Sequence, residues 1–274
     1  MIRLVATDLD GTFWDTHLVP PKEHLAAARE LIAAGVTVLA ATSRRPRVVR
    51  RQLDEVELAL PAVLIDGALG LDFRSGERFH QACFDPEAAL RTLAIFRAHE
   101  LDPCLYVEHP EFDTMVSEAP STCPEHLAYL RSVAARGDLQ AAAASADVYA
   151  FSLLGLSRER LVPVAETLAL TEGSSVVLYP EPSYGQFGLI VSPPGVSKWT
   201  GVDAYCRQHA IEPEEVLAVG DGLNDIAMLE RSGVAVGVRG GAQEVIAISE
   251  HLIDPPGANG WVRVVDLVQA SSSS

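Results

Sequence analysis

The feature of this sequence that most constrains its fold is an alternation of short apolar runs with helical patterns at both ends of the chain. The first apolar run, residues 2–7, is followed by a helical pattern at 21–34, and a second apolar run lies at 36–41. Short apolar runs bounded by turn residues are typical of strands buried on both faces. Strands that alternate with helices predict βαβ units and a doubly wound, parallel α/β sheet of the Rossmann-like kind.

The same alternation returns after a central region of different character. Further strands are predicted at 62–65, 216–219, 234–236 and 251–253, and further helices at 47–58, 197–209, 224–230, 242–248 and 260–268. In the centre we predict strands at 79–84, 104–107, 148–154 and 176–178, helices at 86–99, 124–131 and 158–170, and a loop or helix at 141–146. The pattern therefore predicts a discontinuous α/β core, residues 1–76 and 188–274, with an inserted α+β domain at 77–187.

Composition excludes several classes of protein. With 48% hydrophobic and 21% charged residues, the 274-residue chain is not a disordered protein. Its 21 basic and 37 acidic residues give a net charge of −16, which disfavours nucleic acid and anionic membranes as partners. The excess acid fits either a soluble surface or carboxylates that hold a metal. No signal peptide or membrane span is visible, so we expect a cytoplasmic protein.

Two carboxylates, Asp8 and Asp10, directly follow the first predicted strand. Alternate residues of an extended chain face the same way, so both side chains can converge on one point. Two close carboxylates need a proton or a cation between them, and Mg²⁺ prefers oxygen ligands. Gly11 lets the chain turn away sharply. By itself such a pair is more often an ordinary loop or a helix cap.

A second acidic segment, residues 220–225, follows the predicted strand at 216–219. Asp221 could complete a metal site with the first carboxylate pair. Asn224 and Asp225 begin the next helix, where the plain alternative is that they cap it.

Two further segments carry polar residues at helix starts. Thr42 and Ser43 follow the second predicted strand, where hydroxyls and backbone N–H groups favour an anion. Lys198 lies in the first turn of a helix, where a cation is mildly unfavourable unless it binds an anion. A helix cap and an exposed lysine are the plain alternatives.

Taken in order, these segments resemble the four motifs of the haloacid dehalogenase-like superfamily: Asp-x-Asp-Gly-Thr at 8–12, Thr-Ser at 42–43, Lys198, and Gly-Asp-Gly-x-Asn-Asp at 220–225. The position and size of the inserted domain resemble those of the Cof-type phosphatases, whose α+β cap lies between the second and third motifs. The likeness covers the whole predicted core.

Two residues depart from the pattern of that family. Ser43 stands where the family usually has the glycine of Thr-Gly-Arg, and Asp66 stands where it often has the asparagine of Asn-Gly-Ala. The Ser43 side chain would lie close to the expected phosphate, and a carboxylate at Asp66 could alter substrate preference or pH response. Neither departure removes a catalytic group.

The resemblance implies a Mg²⁺-dependent phosphatase of small phosphorylated metabolites, such as sugar phosphates or phosphorylated cofactors. It makes Asp8 the nucleophile that forms an aspartyl-phosphate and Asp10 the general acid and then base. It places Mg²⁺ on Asp8, the backbone carbonyl of Asp10, and Asp221. Asp225 would orient Lys198 or a metal-bound water. The residues implied to hold the phosphoryl oxygens are Thr42, Ser43, Lys198 and Asn224.

The resemblance also implies that the inserted domain closes over the site and sets specificity. Its candidate substrate contacts form two polar loops, in which exposure to solvent is the commoner role: Glu181, Ser183, Tyr184 and Gln186, and Glu108, His109 and Asp113. Two other functions stay open. One is a phosphotransferase or phosphomutase, and the other is a non-catalytic binding module on the same fold. The oligomeric state cannot be read from this sequence.

Overall fold

The computed structural model describes residues 1–15, 18–171, 173–181 and 184–271, so the candidate contact Ser183 lies outside the described residues. The strands are β1 (Leu4–Thr7), β2 (Thr37–Ala41), β3 (Pro61–Leu64), β4 (Leu69–Asp72), β5 (Arg78–Gln81), β6 (Cys104–Val107), β7 (Thr114–Val116), β8 (Ala135–Arg136), β9 (Val148–Leu156), β10 (Ser175–Glu181), β11 (Gln186–Ser192), β12 (Val216–Gly220), β13 (Val234–Val238) and β14 (His251–Ile253). The α-helices are α1 (Lys22–Ala33), α2 (Pro46–Glu55), α3 (Pro86–Ala98), α4 (Pro124–Val133), α5 (Leu139–Ser145), α6 (Arg158–Thr171), α7 (Lys198–Gln208), α8 (Ile226–Leu229), α9 (Gln243–Ile248) and α10 (Arg263–Ala270).

The chain divides into two compact units. The first contains Met1–Gln81 and the residues from Ser197 onward, and the second contains Ala82–Val196. None of the helices in the described ranges combines the length and the apolar character needed to cross a bilayer.

The first unit is built on one sheet with the strand order β14-β13-β12-β1-β2-β3-β4-β5. The pairs from β14 to β3 are parallel, and β4 and β5 are added antiparallel. All residues of β1, β3 and β12 are buried, as expected of strands covered on both faces. This architecture confirms the predicted α/β class.

The carboxyl ends of β12, β1 and β2 lie side by side in this sheet, because β1 pairs with β12 on one edge and with β2 on the other. Ligands of open α/β sheets bind outside such strand ends. Helix α7 packs on this part of the sheet through Trp199, Val202 and Tyr205. The first residue of α7, Lys198, therefore starts close to the ends of these strands.

The boundaries of the first unit differ from the prediction of 1–76 and 188–274. The apolar run at 79–84 was assigned to the inserted domain, but β5 pairs with β4 in the first sheet, and Phe79 packs edge-on against Tyr205 at 5.1 Å between ring centroids. At the other end, β11 pairs with β9 and β10, so the inserted unit runs to Val196. Cross-strand pairing, which a local apolar pattern does not reveal, decides both boundaries.

The second unit has its own sheet, in the order β10-β11-β9-β6-β7-β8, and its own apolar core. Phe96 of α3 stacks on Phe151 of β9, and Leu161 of α6 is fully buried in the same cluster. Strands β7, β8 and β11 were not predicted, and the run at 141–146, left open between loop and helix, lies in α5 except for Ala146, which caps it.

Candidate active site

The centre of the site is a buried lysine between two carboxylates. Lys198 Nζ donates hydrogen bonds to Asp8 Oδ1 at 2.6 Å and to Asp225 Oδ1 at 2.7 Å. The Lys198 side chain is 1% exposed, so it is not the solvated lysine that its place in a first helical turn would suggest. Two residues predicted for separate roles, Asp8 and Asp225, therefore share one cation.

The backbone around Asp8 is held in place by its neighbours. The Asp8 N–H donates to Val219 O at 2.8 Å, which continues the β1–β12 ladder. The carbonyl of Asp8 accepts from Thr7 Oγ1 at 2.9 Å, and Thr7 Oγ1 accepts from Trp261 Nε1 at 2.9 Å. These contacts fix the point at which the Asp8 side chain leaves the sheet.

The start of α7 is fixed by the turn that follows β3. Gly67 has φ +107°, and a Cβ at this position would lie 1.8 Å from the carbonyl oxygen of Ser197. Only glycine allows this approach. The Ser197 N–H donates to Thr200 Oγ1 at 2.9 Å, which satisfies a donor at the helix start. The close approach of Gly67 and the hydrogen bond to Thr200 thus fix Ser197, and with it the position of Lys198 at the site.

Burial and charge shift the pKa values of this cluster. Burial lowers the pKa of Lys198, but the charges of Asp225, Asp8 and Asp66 outweigh it and raise that pKa above its usual value. Burial raises the pKa of Asp8 well above its usual value, although Lys198 opposes the change. We infer a protonated lysine facing more carboxylates than it can neutralise. A further cation would relieve the excess negative charge.

Asp221 lies beside this cluster, after β12. Its Oδ1 accepts a hydrogen bond from Thr12 Oγ1 at 2.8 Å. Burial, followed by the charge of Asp225, raises the pKa of Asp221 to about 6. Gly11 has φ +82°, and a Cβ there would lie 2.8 Å from Asp221 Oδ2, so the turn after β1 approaches this carboxylate closely.

Carboxylate oxygens of Asp8, Asp221 and Asp225 lie within 4.8 Å of one another. An all-oxygen donor set of this kind suits a hard divalent cation such as Mg²⁺. The oxygens of Asp225 already have partners, because Oδ2 accepts from the backbone N–H groups of Asp221 at 3.0 Å and Gly222 at 2.9 Å while Oδ1 holds Lys198. Asp8 and Asp221 are therefore the better metal ligands of the three.

The carboxylate of Asp10 is directed to a different set of partners. It accepts two hydrogen bonds from Arg44, from Nε at 2.6 Å and from Nη2 at 2.7 Å, and a third from Trp14 Nε1 at 3.1 Å. The side chain is 40% exposed. A bidentate arginine contact is a strong, directional one. Among the described carboxylates, the close group formed by Asp8, Asp221 and Asp225 does not include that of Asp10.

Thr42 and Ser43 lie after β2, as predicted, and Ser43 joins a second polar cluster. Thr42 Oγ1 accepts from the Arg44 N–H at 3.1 Å. Ser43 Oγ donates to Asp66 Oδ1 at 2.8 Å, and Asn224 Nδ2 donates to Ser43 Oγ at 3.0 Å and to Asp66 Oδ1 at 2.8 Å. The two residues that depart from the family pattern, Ser43 and Asp66, are therefore in direct contact.

Several contacts of the site were not predicted from the sequence. Thr12, Trp14 and Arg44 had no assigned role, although Thr12 lies inside a segment that was singled out and Arg44 directly follows another. Arg44 adjoins the Thr-Ser pair at a strand end, and that position is the signal that could have drawn attention to it. Nothing in the local sequence indicates that Trp14 reaches Asp10.

Three of the candidate substrate contacts, Glu108, His109 and Gln186, have partners within the second unit. Glu108 Oε2 accepts from Tyr149 Oη at 2.7 Å, and Gln186 Nε2 donates to the carbonyl of Gly155 at 3.1 Å. The His109 ring stacks on Phe112 with centroids 3.8 Å apart. These contacts give the loops an internal structural role.

Comparison with known proteins finds one matching family and several relatives. A family model for haloacid dehalogenase-like hydrolases matches residues 5–265. The chain is 24% identical over 262 residues to "Endoribonuclease YBEY, chloroplastic" of Arabidopsis thaliana, covering 89% of this chain and 42% of that protein. It is 23% identical over 280 residues to "5-amino-6-(5-phospho-D-ribitylamino)uracil phosphatase YbjI" of Escherichia coli (strain K12), covering 97% and 96%.

The extent of these matches varies. The chain spans between 34% and 42% of the length of three curated relatives, the Arabidopsis protein among them. A solved structure of a haloacid dehalogenase-like hydrolase from B. subtilis superposes with a TM-score of 0.83 at 19% identity, covering 97% of this chain and 99% of that one. The structural likeness concerns the fold.

Proposed function

Because the chain belongs to the haloacid dehalogenase-like hydrolases, we propose that it is a phosphatase that hydrolyses small phosphorylated metabolites through an aspartyl-phosphate on Asp8. Sugar phosphates and phosphorylated cofactors are the proposed substrates. The observation that carries the proposal is the buried contact of Lys198 with Asp8, beside Asp221. The E. coli relative that aligns over nearly its whole length is named a phosphatase, which supports the same reaction class.

Lys198 holds one oxygen of the Asp8 carboxylate, which leaves the other oxygen to act as the nucleophile. Asp8 Oδ1 contacts Lys198, so Oδ2 is the oxygen that would attack phosphorus in line with the leaving oxygen. The new bond joins Asp8 Oδ2 to phosphorus while the bond from phosphorus to the leaving oxygen breaks. Water then attacks the phosphorus of the aspartyl-phosphate, which releases inorganic phosphate and restores the Asp8 carboxylate.

Asp10 would move the protons of both steps. It would give a proton to the leaving oxygen in the first step and take one from the attacking water in the second. Its contacts with Arg44 and Trp14 hold the carboxylate two residues beyond the nucleophile. In this mechanism Asp10 gives up a hydrogen bond from Arg44 during the first step and forms one with the leaving oxygen instead.

The residues after β1 and β12 fit a divalent cation by their donor chemistry. Asp8, Asp221 and the backbone carbonyl of Asp10 would hold Mg²⁺, which would neutralise charge between the nucleophile and the phosphoryl oxygens. Asp225 positions Lys198 and the turn at 221–222, because both of its oxygens are used there.

The phosphoryl oxygens would be held by donors from three loops. Lys198 supplies a charge, and the backbone N–H of Ser43 lies at the carboxyl end of β2, where anions are favoured. Thr42 and Asn224 complete the proposed set. Such donors stabilise charge as it moves from the nucleophile to the leaving oxygen.

The test is release of inorganic phosphate from a panel of phosphorylated metabolites, with and without Mg²⁺. We expect metal-dependent release by the wild type and a loss of at least about 1,000-fold in Asp8→Asn, because the nucleophile is removed. Asp54→Asn, an exposed change on α2, is the matched control and should leave the rate unchanged. Release that survives in Asp8→Asn would contradict the proposed nucleophile. Isomerisation of a sugar phosphate without phosphate release would favour a phosphomutase instead.

A further inference from the structure

Asp66 is a buried carboxyl group that the proposed mechanism does not use. It is 4% exposed and lies in the turn after β3 with φ 51° and ψ 29°. Its Oδ1 accepts hydrogen bonds from Ser43 Oγ and Asn224 Nδ2, both at 2.8 Å. Its Oδ2 is equally buried and receives no hydrogen bond from the described residues. Toward the described residues, only one oxygen of this carboxyl group therefore acts as an acceptor.

This pattern of contacts fits an uncharged acid better than a carboxylate. A buried carboxylate without donors on one oxygen is costly, because its charge is desolvated and unpaired there. The ammonium of Lys198 donates to Asp8 and Asp225, not to Asp66. In the neutral acid, the carbonyl oxygen accepts both observed hydrogen bonds and the other oxygen carries the proton, and a buried hydroxyl without an acceptor costs less than a buried unpaired charge. Burial also raises the pKa of Asp66, against the opposing effects of Lys198 and the two donors.

We propose that Asp66 is a positioning residue, an uncharged carboxylic acid that holds Ser43 and Asn224 in the two loops that bind phosphate. The phosphate-binding part of this inference rests on the proposed function. The hydroxyl proton of Ser43 is committed to Asp66, and the Ser43 oxygen accepts from Asn224. The turn after β3 thus joins the loop after β2 to the loop after β12. If Asp66 lost its proton, its charge would repel a phosphate dianion bound by these loops.

Other titratable groups face Asp66 from neighbouring elements. They are Lys198 at the start of α7, Asp225 in the turn after β12, and His80 on β5, which hydrogen-bonds to the backbone of Gly67. Each of these groups is present in the wild type and in every Asp66 variant. A comparison between them therefore isolates the titration of Asp66.

The test compares Asp66→Asn, which keeps the shape and one acceptor without an acidic proton, with Asp66→Ala, which removes the acceptor. Binding of inorganic phosphate in the presence of Mg²⁺ is measured by calorimetry between about pH 5 and about pH 9. At the acidic end, we expect Asp66→Asn to bind within about twofold of the wild type and Asp66→Ala at least about tenfold more weakly. As pH rises, the wild type should lose about 10-fold to 100-fold relative to Asp66→Asn, as expected for like charges about 6 to 10 Å apart at an effective dielectric of about 20.

A kinetic measurement separates positioning from a general loss of structure. The alkaline fall should appear as a rise in KM for the substrate with kcat nearly constant, because phosphate binding is what changes. Equal losses in Asp66→Asn and Asp66→Ala at every pH would overturn the inference. A wild-type pH profile parallel to that of Asp66→Asn would overturn the uncharged state. Failure of the wild type to bind phosphate would overturn the positioning role.

The free energy of unfolding in urea tests the protonation of Asp66 without reference to activity. A group whose pKa is raised on folding stabilises fully below its unfolded pKa, and that stabilisation is lost as pH rises through the folded pKa. Asp66→Asn should therefore gain stability relative to the wild type as pH rises. If that gain appears while no compound releases phosphate, the proposed function fails and the uncharged state of Asp66 stands. If Asp8-dependent release is found but the gain is absent, only the inference about Asp66 fails.

Discussion

Replacing Lys198 by methionine removes the one ammonium shared by two buried carboxylates and keeps a long apolar side chain in its place. The chain has only two lysines, Lys22 and Lys198. Lys22 is exposed at the start of α1, so Lys22→Met is a matched control for the loss of a lysine charge. The comparison therefore isolates the effect of the contacts with Asp8 and Asp225.

The expected cost follows from those contacts. Hydrogen bonds to charged groups contribute about 1.5 to 3 kcal/mol each, and breaking a buried ion pair on one side costs about 3 to 5 kcal/mol. We therefore expect Lys198→Met to lose about 3 to 5 kcal/mol of unfolding free energy near neutral pH. At acidic pH the loss should shrink, because burial raises the pKa of Asp8 and its carboxyl group can then become neutral by taking up a proton.

The assay is urea unfolding at about pH 5 and at about pH 8, where Lys22→Met should stay within about 0.5 kcal/mol of the wild type. A domain of ordinary stability unfolds with a free energy of about 5 to 15 kcal/mol, so the variant should retain a measurable free energy of unfolding at the acidic pH. A loss below about 1 kcal/mol near neutral pH would refute the buried ion pair. A large loss that does not change with pH would assign the effect to packing and not to charge.

Two further predictions concern neighbours of this cluster. Gly67→Ala should lose at least about 3 kcal/mol of unfolding free energy in urea, because its Cβ would collide with Ser197 O. Gly76→Ala, at a glycine with φ +78° and open space around it, should lose only about 1 to 2 kcal/mol. Equal losses in the two variants would refute the collision. Since the pKa of Asp221 is raised to about 6, the free energy of unfolding without added metal should fall by about 2 to 3 kcal/mol as pH rises from about 4 to about 7. That part of the fall should vanish in Asp221→Asn, and an unchanged slope in the variant would contradict the assignment.

The sequence predicts elements well where a local pattern decides them. The apolar runs that form β6 and β14 were predicted with the bounds that the structure shows, Cys104–Val107 and His251–Ile253. Each is a short run in which apolar residues predominate. The local sequence is sufficient to predict such strands, because their formation does not depend on a particular side chain of the neighbouring strand.

Strands β4 and β11 were missed for a physical reason that the structure supplies. Each contains a glycine, which weakens a strand pattern. A Cβ at Gly70 would lie 2.3 Å from the ring of Phe79, and a Cβ at Gly188 would lie 2.5 Å from the ring of Tyr179. These glycines make room for an aromatic ring from the neighbouring strand, and that relation appears only after the strands have paired.

The same limit applies to the site. The positions of Asp8 and Asp221 follow from the rule that ligands gather at the carboxyl ends of parallel strands. The full burial of Lys198 and the contact of Arg44 with Asp10 depend on side chains separated by many residues in the chain. Neither was predicted, because no spacing in the sequence encodes a contact that forms only once the partner strands are placed.

The position of β1 between β2 and β12 also has a consequence for synthesis of the protein. β2 follows β1 closely, but β12 ends at Gly220, long after the first segment of this unit ends at Gln81. At about 5 to 20 residues per second, synthesis takes roughly 7 to 30 seconds to go from the end of the first segment to the end of β12. During this time one edge of β1 has no partner strand. During this interval the second unit, complete at Val196, can fold first. The nascent chain therefore carries one unpaired edge of a largely apolar strand, which is a template for misassociation.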